Sequence, residues 1–318
     1  MKPLACNYYI TARCNAACEF CSHWREEEPL KEEAGTEVIL RNLRGLKLLG
    51  VHYLDITGGE PLLRDDLPEI LAYAKKLKLF TVLTTNCALF PAKGEKIAQH
   101  CDRLLFSLDF PDAEQHNRSR DAELFANVLE SIKIAKQVGR RPIINYTLTR
   151  DSVRFLPEME DLARRYGVLV WLNPVYASPA HEGLTPDSLA YVAYFLKKKS
   201  FAGNAAALRL LKHWGNNPAW PVCQAARSVI TITADSYVVA PCYYFPAVKI
   251  KIDRNLKDIF NSPEYWRARP TQGKDSVCSG CLNWGYMLPS FWFRLDRYFF
   301  LNLYSGMQLL MKEFLANR

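Results

Sequence analysis

The sequence lacks an apolar segment long enough to cross a bilayer, and no apolar stretch typical of a signal peptide follows Met1. It also has no repeats, no low-complexity segment, and no Lys/Arg tract interleaved with aromatic residues. We therefore expect no nucleic-acid partner, and the net charge of +8 favours anionic partners only weakly. Without a secretion signal, the ten cysteines are expected to remain reduced or to bind metal clusters in the cytoplasm rather than form disulfides.

The composition is that of a globular protein. At 318 residues, 49% of them hydrophobic, the chain is long enough for one large domain with a small addition. Six short runs rich in β-branched or aromatic residues alternate with segments whose apolar residues recur at helical spacing. This order predicts an α/β fold with a parallel sheet, in which ligands collect at the carboxyl ends of the strands. The predicted strands are Leu4–Thr11, Tyr53–Thr57, Phe80–Thr85, Arg103–Leu108, Pro142–Thr149 and Val168–Asn173.

Three cysteines follow the first predicted strand. Cys14, Cys18 and Cys21 are separated by three and then by two residues, and no fourth cysteine lies nearby. Three thiolates can hold three corners of a [4Fe–4S] cubane, which leaves one iron open to another ligand. The alternative is a zinc site with His23 as a fourth ligand, although this spacing is unusual for zinc.

This cysteine spacing resembles the CxxxCxxC signature of the radical S-adenosylmethionine (SAM) superfamily. The resemblance covers roughly Leu4 to Val175 and implies a partial (β/α)6 barrel, with SAM bound to the open iron. It further implies that Phe20 lies near the adenine and that the Gly58-Gly59-Glu60 turn after the second strand contacts the SAM amino group. Ser107 on the fourth strand is expected to face the SAM ribose or carboxylate. Asn145 on the fifth strand is expected to contact the ribose, with filling the barrel interior as an equal alternative. Asp109 is expected to hold its loop.

Four further cysteines lie in the C-terminal part. Cys223 and Cys242 stand at the two ends of a predicted β-hairpin that turns at Asp235-Ser236, and Cys278 and Cys281 form a CxxC pair. The arrangement resembles the Twitch form of the SPASM-type auxiliary domain, with Ser236 where that form usually has glycine. It implies a second [4Fe–4S] cluster with four cysteine ligands. A structural zinc held by the same thiolates is the alternative.

These motifs predict four regions. They are a barrel over residues 1–176, linking helices over 177–222, an auxiliary-cluster domain over 223–287 and an amphipathic C-terminal helix over 288–318. The Asn216–Pro221 stretch is interpreted as a hinge. Between Arg297 and Lys312 the chain has fourteen uncharged residues. A stretch of this length is too short to span a bilayer. The helix is therefore expected to pack on the open side of the barrel, with peripheral contact to a membrane as the alternative.

The resemblance implies an oxidoreductase that cleaves SAM to a 5′-deoxyadenosyl radical and abstracts a substrate hydrogen. A flavodoxin or ferredoxin would supply the electron, and the auxiliary cluster favours a net oxidation or bond formation. The organic substrate is unknown: a small aminocyclitol or sugar is suggested by the Twitch resemblance, with a ribosomal peptide or a lipid as alternatives. A non-catalytic iron–sulfur or zinc protein is disfavoured because it would not need a SAM pocket. Trp171 is a further candidate for contact with adenine, and no general base is assigned among Tyr176, His181 and Arg150.

Overall fold

We describe the protein from a computed structural model, which defines residues 2–25, 32–175 and 184–316. The strands are β1 Ala5–Tyr9, β2 Tyr53–Thr57, β3 Phe80–Thr85, β4 Arg103–Ser107, β5 Ile143–Leu148, β6 Leu169–Pro174, β7 Phe201–Ala202, β8 Val229–Ile232, β9 Tyr237–Pro241 and β10 Pro246–Lys251. The α-helices of the barrel half are α1 Thr36–Leu49, α2 Leu67–Lys76, α3 Phe90–Ala98, α4 Ala113–Arg120, α5 Phe125–Gln137 and α6 Leu156–Tyr166. The later helices are α7 Pro186–Phe195, α8 Ala205–Lys212, α9 Ala225–Ser228, α10 Leu256–Asn261, α11 Pro263–Trp266, α12 Trp284–Phe291 and α13 Arg297–Ala316.

The strands form one continuous sheet in the order β10-β9-β8-β1-β2-β3-β4-β5-β6-β7. Strands β1 to β6 are parallel neighbours in chain order, as expected when each strand is followed by a helix that crosses back. All six predicted strands are present within two residues of their predicted bounds. The prediction of an α/β fold with a partial (β/α)6 barrel is therefore confirmed.

The helices of the barrel bury the faces that their apolar periodicity indicated. In α2 the residues Leu67, Ile70, Leu71 and Ala74 are fully buried, and they recur at the spacing of one helix face. The same holds for Val128, Ile132 and Ala135 in α5. These side chains belong to one hydrophobic core cluster, which also contains the buried residues of the neighbouring strands. Local patterning therefore fixed which face of each helix meets the sheet.

The C-terminal hairpin extends the barrel sheet. β8 runs parallel to β1, with Ala5 opposite Val229, and β9 pairs antiparallel with β8. Ser236, at the predicted turn, has a left-handed backbone with φ of 63°, the conformation that favours glycine. Its hydroxyl accepts a hydrogen bond of 2.9 Å from Asn42 Nδ2 of α1, which ties the turn to the barrel. The hairpin is thus built onto the barrel through its strands and its turn.

The segment interpreted as a hinge begins with a buried, hydrogen-bonded residue. Asn216 is buried, and its Nδ2 donates to the carbonyl oxygens of Gly273 at 2.7 Å and Cys278 at 3.1 Å. Its Oδ1 accepts from the backbone N–H of Val222 at 2.9 Å. One buried amide therefore joins three segments of the C-terminal part, and the interpretation of residues 216–221 as a hinge stays a prediction.

The predicted C-terminal helix consists of two helices, α12 and α13, rather than one. α12 begins at Trp284, before the predicted boundary at residue 288. α13 packs on α8, and its Asn302 and Ser305 are buried. The helix therefore packs on the body of the protein. No helix within residues 2–25, 32–175 or 184–316 combines the length and apolar character that crossing a membrane requires.

Candidate functional site

The loop that carries the first three cysteines is fastened to the turn after β2. Gly59 N–H donates to Thr11 O at 2.9 Å, and Glu60 N–H donates to Arg13 O at 2.8 Å. A Cβ atom built on Gly58 would lie 2.3 Å from Thr11 O, and one built on Gly59 would lie 2.0 Å from Arg13 O. The two glycines therefore let the turn approach the cysteine loop closely. The contact of this turn with the SAM amino group stays a prediction.

Cys14, Cys18 and Cys21 line one cavity of about 260 Å³ at the carboxyl ends of the parallel strands. Phe20, Gly58, Gly59, Glu60, Ser107 and Asn145 line the same cavity, which we call the triad cavity. The structure therefore brings together the three cysteines and the six residues that the sequence suggested for SAM contact. This location agrees with the general position of ligands in parallel sheets.

Burial raises the pKa of each of the three thiols, more than nearby donors lower it. Beside Cys18, the Arg120 guanidinium opposes this effect, with its Nη1 3.8 Å from the sulfur. Thiols of this kind lose their protons when a metal centre takes up the negative charge. Three buried cysteines with one adjacent cation are therefore a donor set suited to an iron–sulfur cluster.

Glu60 is fully buried and uses its carboxylate to join three segments. Its Oε1 accepts from Leu62 N–H at 3.0 Å and from Thr85 Oγ1 at 2.8 Å, and its Oε2 accepts from Asn86 N–H at 2.7 Å. One acceptor position on Oε2 is left for a further donor. Burial raises the pKa of Glu60, while these hydrogen bonds oppose the shift. Glu60 therefore positions the end of β3 beside the cysteine loop, besides facing the triad cavity.

Arg120 is a site residue that the sequence left undecided. Its Nε donates to Asp109 Oδ2 at 2.6 Å in a buried ion pair, and its guanidinium lies 5.4 Å from the centre of the Phe20 ring. Burial is the largest single influence on the pKa of Asp109 and would raise it, but the Arg120 charge together with His116 and the hydrogen bonds from Arg120 and Thr147 lowers this pKa overall. Asp109 Oδ1 also accepts from Thr147 N–H at 3.2 Å, so Asp109 holds its surroundings as expected. Arg118, two residues earlier on α4, is exposed and pairs with Glu114.

Asp55 is a site residue that sequence reasoning missed. It lies on β2 and lines both the triad cavity and a second cavity of about 400 Å³ toward the amino-terminal ends of the strands, which we call the lower cavity. Its Oδ1 is buried and has no hydrogen-bond partner among the described residues. Burial raises the pKa of Asp55 to about 7. An acidic residue at the midpoint of a predicted parallel strand was the available signal, because such strands are normally apolar.

Cys223, Cys242, Cys278 and Cys281 line a separate cavity of about 300 Å³, which we call the four-cysteine cavity. Burial raises the pKa of all four thiols, that of Cys242 to about 12. Neither set of cysteines is close enough to hold a single metal ion, since no three Cys, His, Asp or Glu side chains of the described chain meet that condition. A cubane spaces its thiolates more widely than one ion does, so this finding concerns single-ion sites alone.

The two cysteine-lined cavities share a wall. Phe20, Cys21, Tyr244 and Asn283 line both of them. Beside this wall, Tyr9 stacks on Tyr243 with ring centres 4.0 Å apart, and the His23 ring lies 4.7 Å from that of Tyr243. Burial lowers the pKa of His23 to about 4, so this ring is neutral near pH 7. Tyr9 and His23 of this aromatic group line the triad cavity beside the shared wall.

Other candidates are placed elsewhere. Trp171 lines the lower cavity, with its ring centre 5.7 Å from that of Trp284, and it does not line the triad cavity, so the expectation of adenine contact is not supported. Cys87, which follows β3, is buried and not in a disulfide, as expected for a small apolar residue. Tyr176 and His181 lie outside the described residues. Arg150 follows β5 and lines none of the three cavities defined above.

Comparison with known proteins identifies the class. Residues 8–152 match the family model of the radical SAM superfamily. This segment holds the cysteine loop, the Gly58-Gly59-Glu60 turn and strands β2 to β5, so it is a radical SAM domain. The superfamily implies a SAM-binding [4Fe–4S] cluster, and the donor set of the triad cavity fits that group.

Curated relatives resemble about half of the chain. A probable GTP 3′,8-cyclase of Methanopyrus kandleri is 34% identical over 54% of this chain and 56% of its own length. An AdoMet-dependent heme synthase of Oleidesulfovibrio alaskensis is 30% identical over 51% of this chain and 42% of its own length. The match thus spans about half the length of these relatives.

Solved structures show that the likeness in fold extends through the C-terminal part. SuiB of Streptococcus suis, bound to S-adenosylmethionine, is 21% identical with a TM-score of 0.70, covering 88% of this chain and 69% of its own. The enzyme anSMEcpe with bound AdoMet and a peptide is 14% identical with a TM-score of 0.65, covering 99% of each chain. The barrel with its C-terminal addition is therefore a fold that this chain shares with SuiB and anSMEcpe.

Proposed function

We propose that this protein is a radical SAM oxidoreductase with two [4Fe–4S] clusters. Cys14, Cys18 and Cys21 would hold the cluster that binds SAM, and the four cysteines of the second cavity would hold an auxiliary cluster. The observation that carries the proposal is the wall shared by the two cysteine-lined cavities. Because electrons cross short, packed distances readily, this arrangement suits a reaction in which a substrate both loses a hydrogen atom and gives up an electron.

The residues of the triad cavity have separate tasks in this proposal. When bound, the clusters and SAM supply hydrogen-atom abstraction by a 5′-deoxyadenosyl radical and one-electron transfer. Phe20, Ser107 and Asn145 would orient SAM, and Arg120 would offset the negative charge of the thiolate-bound cluster beside Cys18. The packed aromatic group around Tyr9 and Tyr243 would exclude water from the reacting atoms.

The lining of the barrel supports a small polar substrate. Asn7, Thr84, Asn145 and Asn173 line the triad and lower cavities together with Asp55. Amide, hydroxyl and carboxyl groups of this kind match the hydroxyl and amino groups of an aminocyclitol or sugar. After the C–H hydrogen has left as an atom, loss of one electron from the remaining carbon radical would release a proton from its hydroxyl or amino group. Asp55 would accept that proton, because its pKa of about 7 places it between its acid and base forms near neutral pH.

A peptide substrate is the second candidate. It is favoured by SuiB, for which a structure bound to the precursor peptide SuiA is 19% identical with a TM-score of 0.69 over 93% of this chain. A flavodoxin- or ferredoxin-type protein would deliver the electron in either case. In both cases the first step on the substrate would be abstraction of a hydrogen atom, and the two classes differ in the C–H bond that is placed beside SAM.

Anaerobic reconstitution with iron and sulfide tests the cluster assignment. We expect about eight irons per chain, falling to about four in Cys14→Ala and in Cys281→Ala, because each substitution removes one cubane ligand. The matched control Cys87→Ala should keep about eight irons, since this cysteine lines neither cavity. Zinc at either cysteine set would contradict the assignment.

Incubation of the reduced protein with SAM tests the reaction. The protein should release 5′-deoxyadenosine, and Cys14→Ala should not. Deuterated amino sugars and deuterated peptides then distinguish the two substrate classes, because the true substrate transfers deuterium to 5′-deoxyadenosine. Continued turnover by Cys14→Ala would show that the site is wrong.

A further inference from the structure

Helix α13 exposes an apolar face to solvent. Phe300 is 65% exposed, Leu310 63% and Phe314 58%. Residues three, four and seven positions apart lie on one side of a helix, so these side chains form a continuous stripe. We call this stripe the outward face of α13. Its members are Phe300, Leu303, Tyr304, Met307, Leu310, Met311 and Phe314.

Polar contacts on the opposite side fix the orientation of α13. Asn204 Nδ2 donates to Asn302 Oδ1 at 2.7 Å, and Ala205 N–H donates to Ser305 Oγ at 2.8 Å. Lys312 Nζ donates to the carbonyl oxygen of Lys198 at 2.9 Å. These buried partners would be lost if the helix turned its apolar side inward. The protein thus holds an apolar stripe in solvent, which is unusual for a surface without a partner.

Positive charge frames the outward face at both ends. Arg297 lies one turn before Phe300 on the same side of α13 and is exposed. At the other end, Leu310 and Glu313 border a cavity of about 280 Å³ that is also lined by Arg103, Arg140 and Arg141.

The carboxylates beside this frame are already engaged. Glu313 pairs with Arg103 at 2.8 Å, and Asp296 pairs with Arg294 at 2.6 Å. Asp102 also lines the arginine-rich cavity, and its Oδ2 accepts from Thr81 N–H at 2.8 Å. This hydrogen bond leaves the negative charge of Asp102 in place, so the three arginines and two carboxylates that line the cavity give it a net charge of +1.

We propose that the outward face of α13 docks on an anionic lipid membrane. Its aromatic and aliphatic side chains would enter the boundary between headgroups and acyl chains, and Arg297, Arg140 and Arg141 would meet lipid phosphates. A second copy of this chain would bring the same positive frame against itself, whereas anionic lipids complement it. The helix lies on the membrane in this arrangement and does not cross it.

Vesicle flotation of the full chain, kept anaerobic, tests the proposal. The probes are vesicles of phosphatidylcholine alone and of phosphatidylcholine with roughly one-third phosphatidylglycerol. We expect binding to the anionic vesicles only, and binding should weaken as salt rises from about 0.1 M to about 1 M because screening shortens the range of the charges. Replacing Phe300, Met307 and Phe314 together by serine should lower binding at least about tenfold.

Two variants separate this effect from a general loss of surface hydrophobicity or charge. The double variant Leu48→Ser/Trp220→Ser removes two apolar side chains that are 68% and 84% exposed outside α13, and it should bind like the unmodified chain. The double variant Arg140→Ala/Arg141→Ala should lose several-fold in binding to anionic vesicles only.

Three results would overturn the proposal. They are no binding of the unmodified chain to anionic vesicles, equal binding to both kinds of vesicle, and unchanged binding of the triple serine variant. Light scattering measures whether the chain forms a dimer and so tests the alternative occupant of the outward face. A dimer that the triple variant dissociates, without vesicle binding, would assign the outward face to a second copy of this chain. Cluster content and SAM cleavage are measured separately, so failure here leaves the proposed enzymatic function intact.

Discussion

Replacing Gly59 by alanine tests whether the turn after β2 must lie against the cysteine loop. The added methyl group would lie 2.0 Å from the carbonyl oxygen of Arg13 and 2.5 Å from its carbonyl carbon. Both atoms belong to the backbone, so no side-chain rotation relieves the contact. Either the turn or the cysteine loop must move by about 1 Å to restore a permissible distance.

The cost can be worked out from the contacts that this movement affects. Forcing one extra methyl group into a packed site costs about 1–3 kcal/mol. The hydrogen bonds from Gly59 N–H to Thr11 O and from Glu60 N–H to Arg13 O are broken by the same movement. Each contributes about 0.5–1.5 kcal/mol, so the free energy of unfolding should fall by about 2–6 kcal/mol in total. Displacement of the loop should also reduce the iron bound at Cys14, Cys18 and Cys21.

Urea unfolding under anaerobic conditions and iron analysis of the reconstituted protein measure the two effects. Gly306→Ala is the matched control, because a Cβ at this helical position meets nothing within 4 Å. That change should be neutral or stabilise by up to about 1 kcal/mol, since alanine favours helix more than glycine does. If Gly59→Ala keeps the stability and iron content of Gly306→Ala, the reasoning about this close contact is refuted.

Three further substitutions probe the surrounding network. Arg120→Ala leaves the buried carboxylate of Asp109 unpaired and should lower the free energy of unfolding by about 3–5 kcal/mol. The control Arg118→Ala removes an exposed arginine and should cost less than about 0.5 kcal/mol. Equal losses would show that the buried ion pair is not the cause. Burial raises the pKa of Asp55 to about 7, so the folded protein retains a proton that the unfolded chain releases, and stability should fall as pH rises from about 4 to about 7. Asp55→Asn should flatten this part of the pH profile of urea unfolding, and an unchanged slope would contradict the assignment. Asn216→Ala should lower the free energy of unfolding by about 2 kcal/mol or more, because it leaves backbone groups beside Cys223 and Cys278 without their hydrogen-bond partner. It should also lower the iron content. The control Asn217→Ala, at the exposed neighbour, should leave the iron content unchanged.

Much of the barrel could be predicted from local patterns. The alternation of strand and helix segments, each with its own apolar period, specified β1 to β6, since every element buries one face against the next. The three-cysteine loop and the Gly58-Gly59-Glu60 turn were recognisable because their chemistry depends on spacing within a few residues. The turn at Ser236 was also placed correctly, whereas its hydrogen bond from Asn42, almost 200 residues earlier, could not be predicted from the local pattern.

Long-range electrostatics could not be predicted in the same way. Arg118 and Arg120 are near neighbours on one short helix, and only packing decided that Arg120 is buried against Asp109. Asp55 was overlooked because its unusual pKa arises from the cavity around it, which the sequence of β2 does not contain. The position of Trp171 in the lower cavity could not be predicted for the same reason, since its contact with Trp284 joins residues far apart in the chain.

The sequence by itself determined the order of the elements, the two sets of cysteines and the match to a radical SAM domain, because these depend on spacing and periodicity over short distances. Only the tertiary structure decided that Cys21 and Phe20 border the cavity of cysteines more than 200 residues later in the chain, since that wall forms when β8 joins β1. It also decided which side of α13 faces solvent, because the polar partners of Asn302 and Ser305 lie on α8 and its N-cap, not on α13 itself.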